Sequence, residues 1–197
     1  SKDVVCHRGK GASLSAVKNG KVVDTTMGMT PLAGVMMGTR SGDVDPAVAF
    51  YLMEKRGLSV AEVDARMNKK SGILGIFGES SDFRDLENAM KDGNERAKLA
   101  FDMFCYKIKL YIGAYAAAMN GLDAIAFTGG IGENGSLPRE GICEGLTYLG
   151  VDFDYEKNRE RIPGNVELTK PGSKVKVYKI ETAEELVIAR DTYRLTK

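Results

Sequence analysis

Five short segments carry residue types that could do chemistry, and each also has a plain structural explanation. The first is His7-Arg8-Gly9-Lys10-Gly11-Ala12-Ser13, a turn between two strand-like runs. Gly9 and Gly11 let the backbone bend sharply and approach a ligand. Exposed N–H groups in such a turn form a concavity suited to phosphate oxygens, and Arg8 and Lys10 add positive charge. The plain alternative is a glycine hairpin with exposed basic residues. The second is Gly38-Thr39-Arg40-Ser41-Gly42-Asp43-Val44-Asp45-Pro46. An arginine in a glycine loop ahead of a helix can clamp a transferring phosphoryl group, whose spread charge suits a planar donor. Asp43 and Asp45 could face a metal, although Asp45 is already explained as a helix N-cap. The third is Ser80-Ser81-Asp82-Phe83-Arg84-Asp85, readable as a capped helix start with a surface ion pair. The fourth is Phe127-Thr128-Gly129-Gly130-Ile131-Gly132-Glu133-Asn134. Here a buried strand runs into a glycine turn, a geometry that commonly binds nucleotide because backbone N–H groups converge at a strand's carboxyl end. It lacks the Gly-Lys-Ser/Thr of a Walker loop and the full dinucleotide spacing, and a tight strand-to-helix connection is its alternative. The fifth is Glu184-Glu185 near the start of the last helix, where acidic residues favour the helix dipole and where Glu184 could hold Mg²⁺ directly or through water.

The elements that must position these segments follow from local pattern. Val4-Val5-Cys6, Leu14 to Val17 and Val22 to Thr26 read as strands, and Asn19-Gly20 is a two-residue hairpin signal. The amino-terminal part is therefore expected to be an antiparallel meander. Asp45-Pro46 opens a helix that Gly57 closes, and Ser59 with Glu62 makes a capping box for a second. Residues 71–81 are read as loop. Helices are expected from Asp82 to about Lys91, from about Asn94 to Met119, where apolar residues recur at three- and four-residue steps, and over roughly Pro138 to Tyr148. Ala124 to Phe127 reads as a buried central strand, residues 128–134 as a glycine turn, and Val151 to Phe153 and Val175 to Ile180 as short strands. Thr182 to Leu195 is the closing helix, with Thr182 and Glu185 as its capping box. The pattern is that of an α/β domain: a mixed sheet with an antiparallel meander, flanked by helices.

Bulk properties narrow the classes. The chain has 197 residues, 43% hydrophobic and 28% charged, with a formal net charge of +1. That balance gives no sign of a nucleic-acid or membrane surface, and no apolar run approaches bilayer length. Cys6, Cys105 and Cys143 are widely spaced and odd in number, which argues against a disulfide framework and fits a reducing cytoplasm. With His7 the only histidine, a Cys/His zinc site is not expected. Met27, Met29, Met36 and Met37 are read as packing.

Taken together, the segments resemble the acetate kinase family over essentially the whole chain. The family's phosphate turn is Cys-His-Leu-Gly-Asn-Gly-Ala-Ser, and Cys6 to Ser13 matches it at six of eight positions. Met27 to Pro46 is similar to its signature ending in Gly-Thr-Arg-Ser-Gly-Asp-x-Asp-Pro. Asn68 to Gly72, Asp82 to Asp85, Gly130 to Asn134 and Glu184-Glu185-Leu186 fall in the family's order. The resemblance implies a ribonuclease-H-like (actin-like ATPase) fold and direct phosphoryl transfer from ATP to acetate, giving acetyl phosphate and ADP. By analogy Arg40 is the transition-state arginine, and His7, Arg8, Gly9, Lys10 and Gly11 line the ATP phosphates. Asp82, Phe83 and Arg84 flank the nucleotide, Gly130, Ile131, Gly132, Glu133 and Asn134 hold its adenosine part, and Glu184 contributes to the Mg²⁺ site. Arg8, Lys10 and Ala183 stand where the family usually has Leu, Asn and Asn, departures that bear on nucleotide affinity rather than fold. The resemblance also implies that residues 1–197 are a single C-terminal nucleotide-binding domain. The acetate pocket would lie in an N-terminal domain outside this chain, which alone would bind nucleotide weakly and have negligible kinase activity. A homodimer through this domain is expected, the Phe/Tyr face of the long helix supplying apolar surface. Propionate or butyrate as substrate, or a non-catalytic nucleotide-binding or dimerisation module, are the competing readings.

Overall fold

The computed structural model describes residues 1–9 and 11–196, without the side chains of Arg8 and Glu184; Lys10, Lys197 and those two side chains lie outside the described residues. The meander forms as expected. Strands β1 (Lys2–Arg8), β2 (Ala12–Lys18) and β3 (Lys21–Thr25) pair antiparallel. Between β2 and β3, Asn19 and Gly20 both take positive φ, 52° and 75°, as a primed hairpin turn requires. Strand β4 (Ala124–Thr128) pairs parallel with β1, and β6 (Lys176–Lys179) parallel with β4. A two-residue edge strand, β5 (Val166–Glu167), completes the order β3-β2-β1-β4-β6-β5.

Helix α1 (Pro46–Arg56) is capped by Asp45 and ended by left-handed Gly57. Helix α2 (Val60–Lys69) carries the Ser59–Glu62 capping box. Helices α4 (Phe83–Lys91) and α5 (Glu95–Met119) start on the side chains of Asp82 and Asn94. The 25-residue α5 is the spine: it packs on β1 and β2 and against three other helices. Its Phe104, Ile108, Ile112 and Met119 meet Val4, Cys6, Leu14, Ile125 and Phe127 of the sheet in one core. The period-2 face of the strands meets the 3.6-period face of α5. All three cysteines are buried, as are Met36 and Met37, whereas Met29 is exposed.

Several expectations need correction. Residues 71–81 are not loop throughout: α3 (Gly72–Phe77) forms there because Ile73 and Phe77 are buried against the core. Residues 129–134 are a short helix, α6 (Gly129–Asn134), not a turn. The next helix is α7 (Ser136–Cys143), which stops well before Tyr148; a 3₁₀ turn at Thr147–Leu149 follows. Val151 and Phe153 make isolated bridges rather than a strand, and α8 (Tyr155–Arg159) and β5 had no sequence expectation. The last helix, α9 (Glu184–Thr196), begins two residues after Thr182. Thr182 does not form the expected capping box: its N–H, which the box would give to Glu185, goes to Glu133 Oε1 at 2.9 Å, and its hydroxyl donates to the same oxygen at 2.7 Å. Among the described residues no helix is long and apolar enough to cross a membrane.

Candidate functional site

Strands β1, β4 and β6 run parallel, so their carboxyl ends share one edge of the sheet. In open α/β sheets ligands bind outside that edge. The turn after β1 and helix α6 after β4 therefore lie side by side, although well over a hundred residues separate them. Gly132 seals this contact: a Cβ there would sit 3.3 Å from the Phe127 carbonyl carbon and 3.7 Å from the Cys6 oxygen.

A cleft of about 1230 Å³ opens over this edge. Gly9, Arg40, Asp82, Arg84, Ile131 and Asn134 all line it, so four of the five candidate segments contribute to one site. Gly130 and Phe83 border it too, but the Phe83 ring is buried, its centroid 4.7 Å from that of Phe104. Phe83 chiefly anchors the start of α4 to α5. Gly132 and Glu133 are not among the residues that line the cleft, and both make structural contacts. Glu133 Oε1 accepts from the Gly129 N–H as well as from Thr182. Burial raises its carboxyl, but the Thr182 and Gly129 bonds outweigh that and leave it below the ordinary value. This carboxylate joins α6 to the approach of α9. His7 lies in β1 next to its last residue, its Nε2 3.8 Å from where a Gly9 Cβ would sit. Not every N–H of that turn points outward, since Gly9 donates to the Gly11 carbonyl at 2.8 Å. The assignments to Lys10 and to the side chains of Arg8 and Glu184 lie outside the described residues.

Arg40 rides on a loop that is held on all sides. Met37 donates to the Arg40 carbonyl, Ser71 to that of Thr39, Ile73 to that of Met37 and Leu74 to that of Gly38. The base of the loop is closed by Asp43, whose carboxylate accepts from the Gly34 N–H at 2.8 Å and from the Tyr111 hydroxyl. Asp45 accepts from Ala47 as the α1 cap. Both aspartates that might have faced a metal are thus spent on structure. Among the described residues no group of three or more His, Cys, Asp or Glu side chains is placed to hold a metal ion. The Arg40 guanidinium donates from Nη1 to the Pro31 carbonyl at 3.4 Å and lies 3.6 Å from the Met37 sulfur. A Cβ on Gly11 would lie 3.5 Å from the same Nη1, so the arginine reaches across to the β1 turn. Its remaining N–H groups have no carboxylate partner among the described residues and face an open cleft.

Asp82 caps α4 through the Arg84 N–H at 2.8 Å and pairs with the Arg84 guanidinium at 2.7 Å. The guanidinium, then the N–H, hold its carboxyl down at about 2. A carboxylate depressed on folding contributes stability above its unfolded value, and that contribution disappears as pH falls through the folded value. Replacing Arg84 by Met is expected to lower the melting temperature slightly at neutral pH, the pair being exposed. The difference should vanish as the pH is taken down to about 2. Melting both proteins across that range checks it.

Sequence reasoning missed two features. Asp64 and Asn68 line the cleft from one face of α2, and Glu87 lines it from α4; the four-residue spacing of Asp64 and Asn68 was the available signal. The other is Arg139, which no pattern distinguishes from a surface arginine. It is buried, donates to the carbonyls of Gly132 and Glu133 at 2.7 and 2.9 Å, and reaches Asn158 Oδ1 at 2.7 Å. It thereby closes the carboxyl end of α6. Burial lowers its pKa from the ordinary arginine range. Arg139→Ala would orphan the acceptors it serves on Gly132, Glu133 and Asn158. We expect a loss of about 3 kcal/mol and a fall in melting temperature of roughly 6–12 °C, read by differential scanning calorimetry.

Sheet order, the spine helix and a cleft at the carboxyl ends of parallel strands define a ribonuclease-H-like α/β domain. Comparison with known proteins gives the family. The acetokinase family model matches residues 1–190, and the chain belongs to that family. It is 62% identical over its full length to an acetate kinase of Fusobacterium nucleatum and covers 50% of that protein. The Porphyromonas gingivalis acetate kinase structure superposes with a TM-score of 0.94 at 50% identity, covering 100% of this chain and 49% of that one. A Francisella tularensis propionate kinase gives 0.88 at 40% identity, covering 95% and 47%. The chain thus spans about half the length of the relatives it matches.

Proposed function

We propose that this chain is the C-terminal, nucleotide-binding half of an acetate kinase, which transfers the terminal phosphoryl group of ATP to acetate and yields acetyl phosphate and ADP. The observation that carries the reading is the single cleft shared by Gly9, Arg40, Asp82 and Gly130, from four segments far apart in sequence. The phosphates rest at the β1 turn and Arg40. The nucleoside lies between α4 and α6, where Ile131 offers an apolar platform and a Gly130 side chain position is open space.

Transfer is direct. An acetate oxygen bonds to the terminal phosphorus as the bond to the bridging oxygen breaks, and ADP carries that electron pair away. The protein's part is to align two anions and neutralise charge on the equatorial oxygens. Arg40 suits this because its loop is fixed before reaction. Mg²⁺ would accompany the nucleotide and screen its phosphates. Glu184, which opens α9 beside the Glu133–Thr182 tie, is the proposed protein contact for it. The carboxylate pocket belongs to the other half. Propionate is the second substrate reading, favoured by the likeness to the Francisella propionate kinase. The setting we assign is the cytoplasm, in keeping with three scattered, buried cysteines.

A homodimer is also proposed. The Phe101 and Phe104 rings of α5 are buried, so they are not the interface. Its outer face instead exposes Leu99, Met103, Tyr106 and Leu110, a four-three-four spacing that forms one continuous apolar stripe.

The test joins this chain to the complementary half of the Fusobacterium nucleatum enzyme. The chimera should form acetyl phosphate from ATP and acetate. The 197-residue chain should bind ADP weakly and turn nothing over. Turnover by the chain alone, or an inactive but folded chimera, would refute the reading.

A further inference from the structure

Among the described residues the cleft holds three carboxylates in its wall, and two of them are engaged. Asp82 takes the Arg84 guanidinium, and Asp64 accepts from the Asn68 amide at 2.9 Å. Glu87 lines the cleft half-buried, and no described residue donates a hydrogen bond to it. Burial pushes its carboxyl up, with Lys91 one turn on pulling the other way. A half-buried acceptor without a donor carries a desolvation cost that a ligand donor can remove.

The position of Glu87 says which part of a ligand it would meet. Ser81, just before α4, backs onto the Arg40 loop: a Cβ on Gly38 would lie 3.3 Å from the Ser81 oxygen. The start of α4 is therefore at the phosphate end of the cleft. At 1.5 Å of rise per residue, Glu87 lies about 8 Å further along the helix than Asp82. An anionic acceptor there repels phosphate and attracts N–H donors, and the cleft is also lined by Gly130 and the apolar Ile131. We propose that Glu87 reads the base, accepting a hydrogen bond from an exocyclic amino group of the nucleotide. This inference rests on the nucleotide reading of the cleft and adds a specificity determinant to it.

The experiment titrates the 197-residue chain by calorimetry with ADP and with purine riboside 5′-diphosphate, which lacks only the amino group. The parent chain should favour ADP by about tenfold or more, the worth of a hydrogen bond to a charged group. Glu87→Met, which removes the acceptor, should abolish the preference. Glu87→Gln, which keeps an acceptor oxygen, should restore part of it. Because no described residue donates a hydrogen bond to Glu87, both variants should melt close to the parent. If the parent binds both nucleotides equally, or Glu87→Met keeps the preference, the base-reading role is wrong while the nucleotide site stands. Equal weakening of both nucleotides by Glu87→Met places the contact on the ribose and also overturns the proposal. If neither nucleotide binds the parent chain, the nucleotide reading falls with it.

Discussion

In the chimera described above, Arg40→Ala is expected to lower the turnover number by about 10³-fold while leaving the dissociation constant of ADP within a small factor. The split follows from what Arg40 does and does not touch. On the proposed reading the nucleoside lies between α4 and α6, whose residues line the cleft apart from the Arg40 loop. Its guanidinium lies over the β1 turn, with Nη1 3.5 Å from a Gly11 Cβ position. On the proposed reading, that is where phosphate charge would redistribute as the terminal group transfers. Arg40→Lys should recover little of the loss. A lysine ammonium is a compact charge without the planar fork, so it cannot present two parallel N–H groups to a pair of equatorial oxygens. Steady-state kinetics with ADP calorimetry on each variant decides this. An Arg40→Ala chimera that keeps its turnover number but loses nucleotide affinity would make Arg40 a ground-state binding residue instead.

The features legible in the sequence were those set by nearest neighbours. Asn19-Gly20, Asp45-Pro46 with Gly57, and Ser59 with Glu62 each satisfy local backbone donors or dihedrals, and all three form as read. The core stripe of α5 was legible for the same reason, since a 3.6-residue period survives any context. Helices α3 and α6 were not legible. Their glycines signal loop on intrinsic preference, but here the small residues allow close approach: Gly132 onto β1 and β4, and Gly72 beneath the Arg40 loop. Tertiary contact overrode propensity at both. Thr182 failed in the other direction. It has the chemistry of a cap, and a carboxylate 49 residues away, Glu133, offered a better acceptor.

The same distinction runs through the site. Motifs placed Arg40, Gly9, Asp82 and Gly130 as candidates; the parallel register of β1 and β4 brings Gly9 and Gly130 to one edge, and the Arg40 loop and the start of α4 line the same cleft. Residues whose role is to hold those loops carry no local mark. Tyr111 reaches Asp43 across 68 residues, and Arg139 reaches Asn158 from a neighbouring helix. Nothing within a window of sequence distinguishes either from an ordinary helical residue.

Gly72→Ala should be among the most damaging single substitutions in the chain. Gly72 has φ +63°, and a Cβ there would lie 2.1 Å from the Met37 carbonyl oxygen and 2.7 Å from that of Arg40. Both are backbone atoms of the loop that carries the arginine, so no side-chain rotation relieves the overlap. The loop must move, and with it go the bonds from Ser71, Ile73 and Leu74 to Thr39, Met37 and Gly38. Gly57 supplies the control. It has nearly the same φ, +65°, but nothing within 4 Å of its Cβ position. Gly57→Ala therefore isolates the conformational cost of a left-handed alanine, about 1 kcal/mol. Gly72→Ala should add the steric cost and reach about 4 kcal/mol, lowering the melting temperature by roughly 8–16 °C. In the chimera it should also depress turnover well below its melting temperature, because the displaced loop carries Arg40 away from the β1 turn. Gly57→Ala should leave turnover unchanged. Equal melting temperatures for the two variants would mean that the loop yields without cost, and that Arg40 is not held as the hydrogen bonds around it indicate.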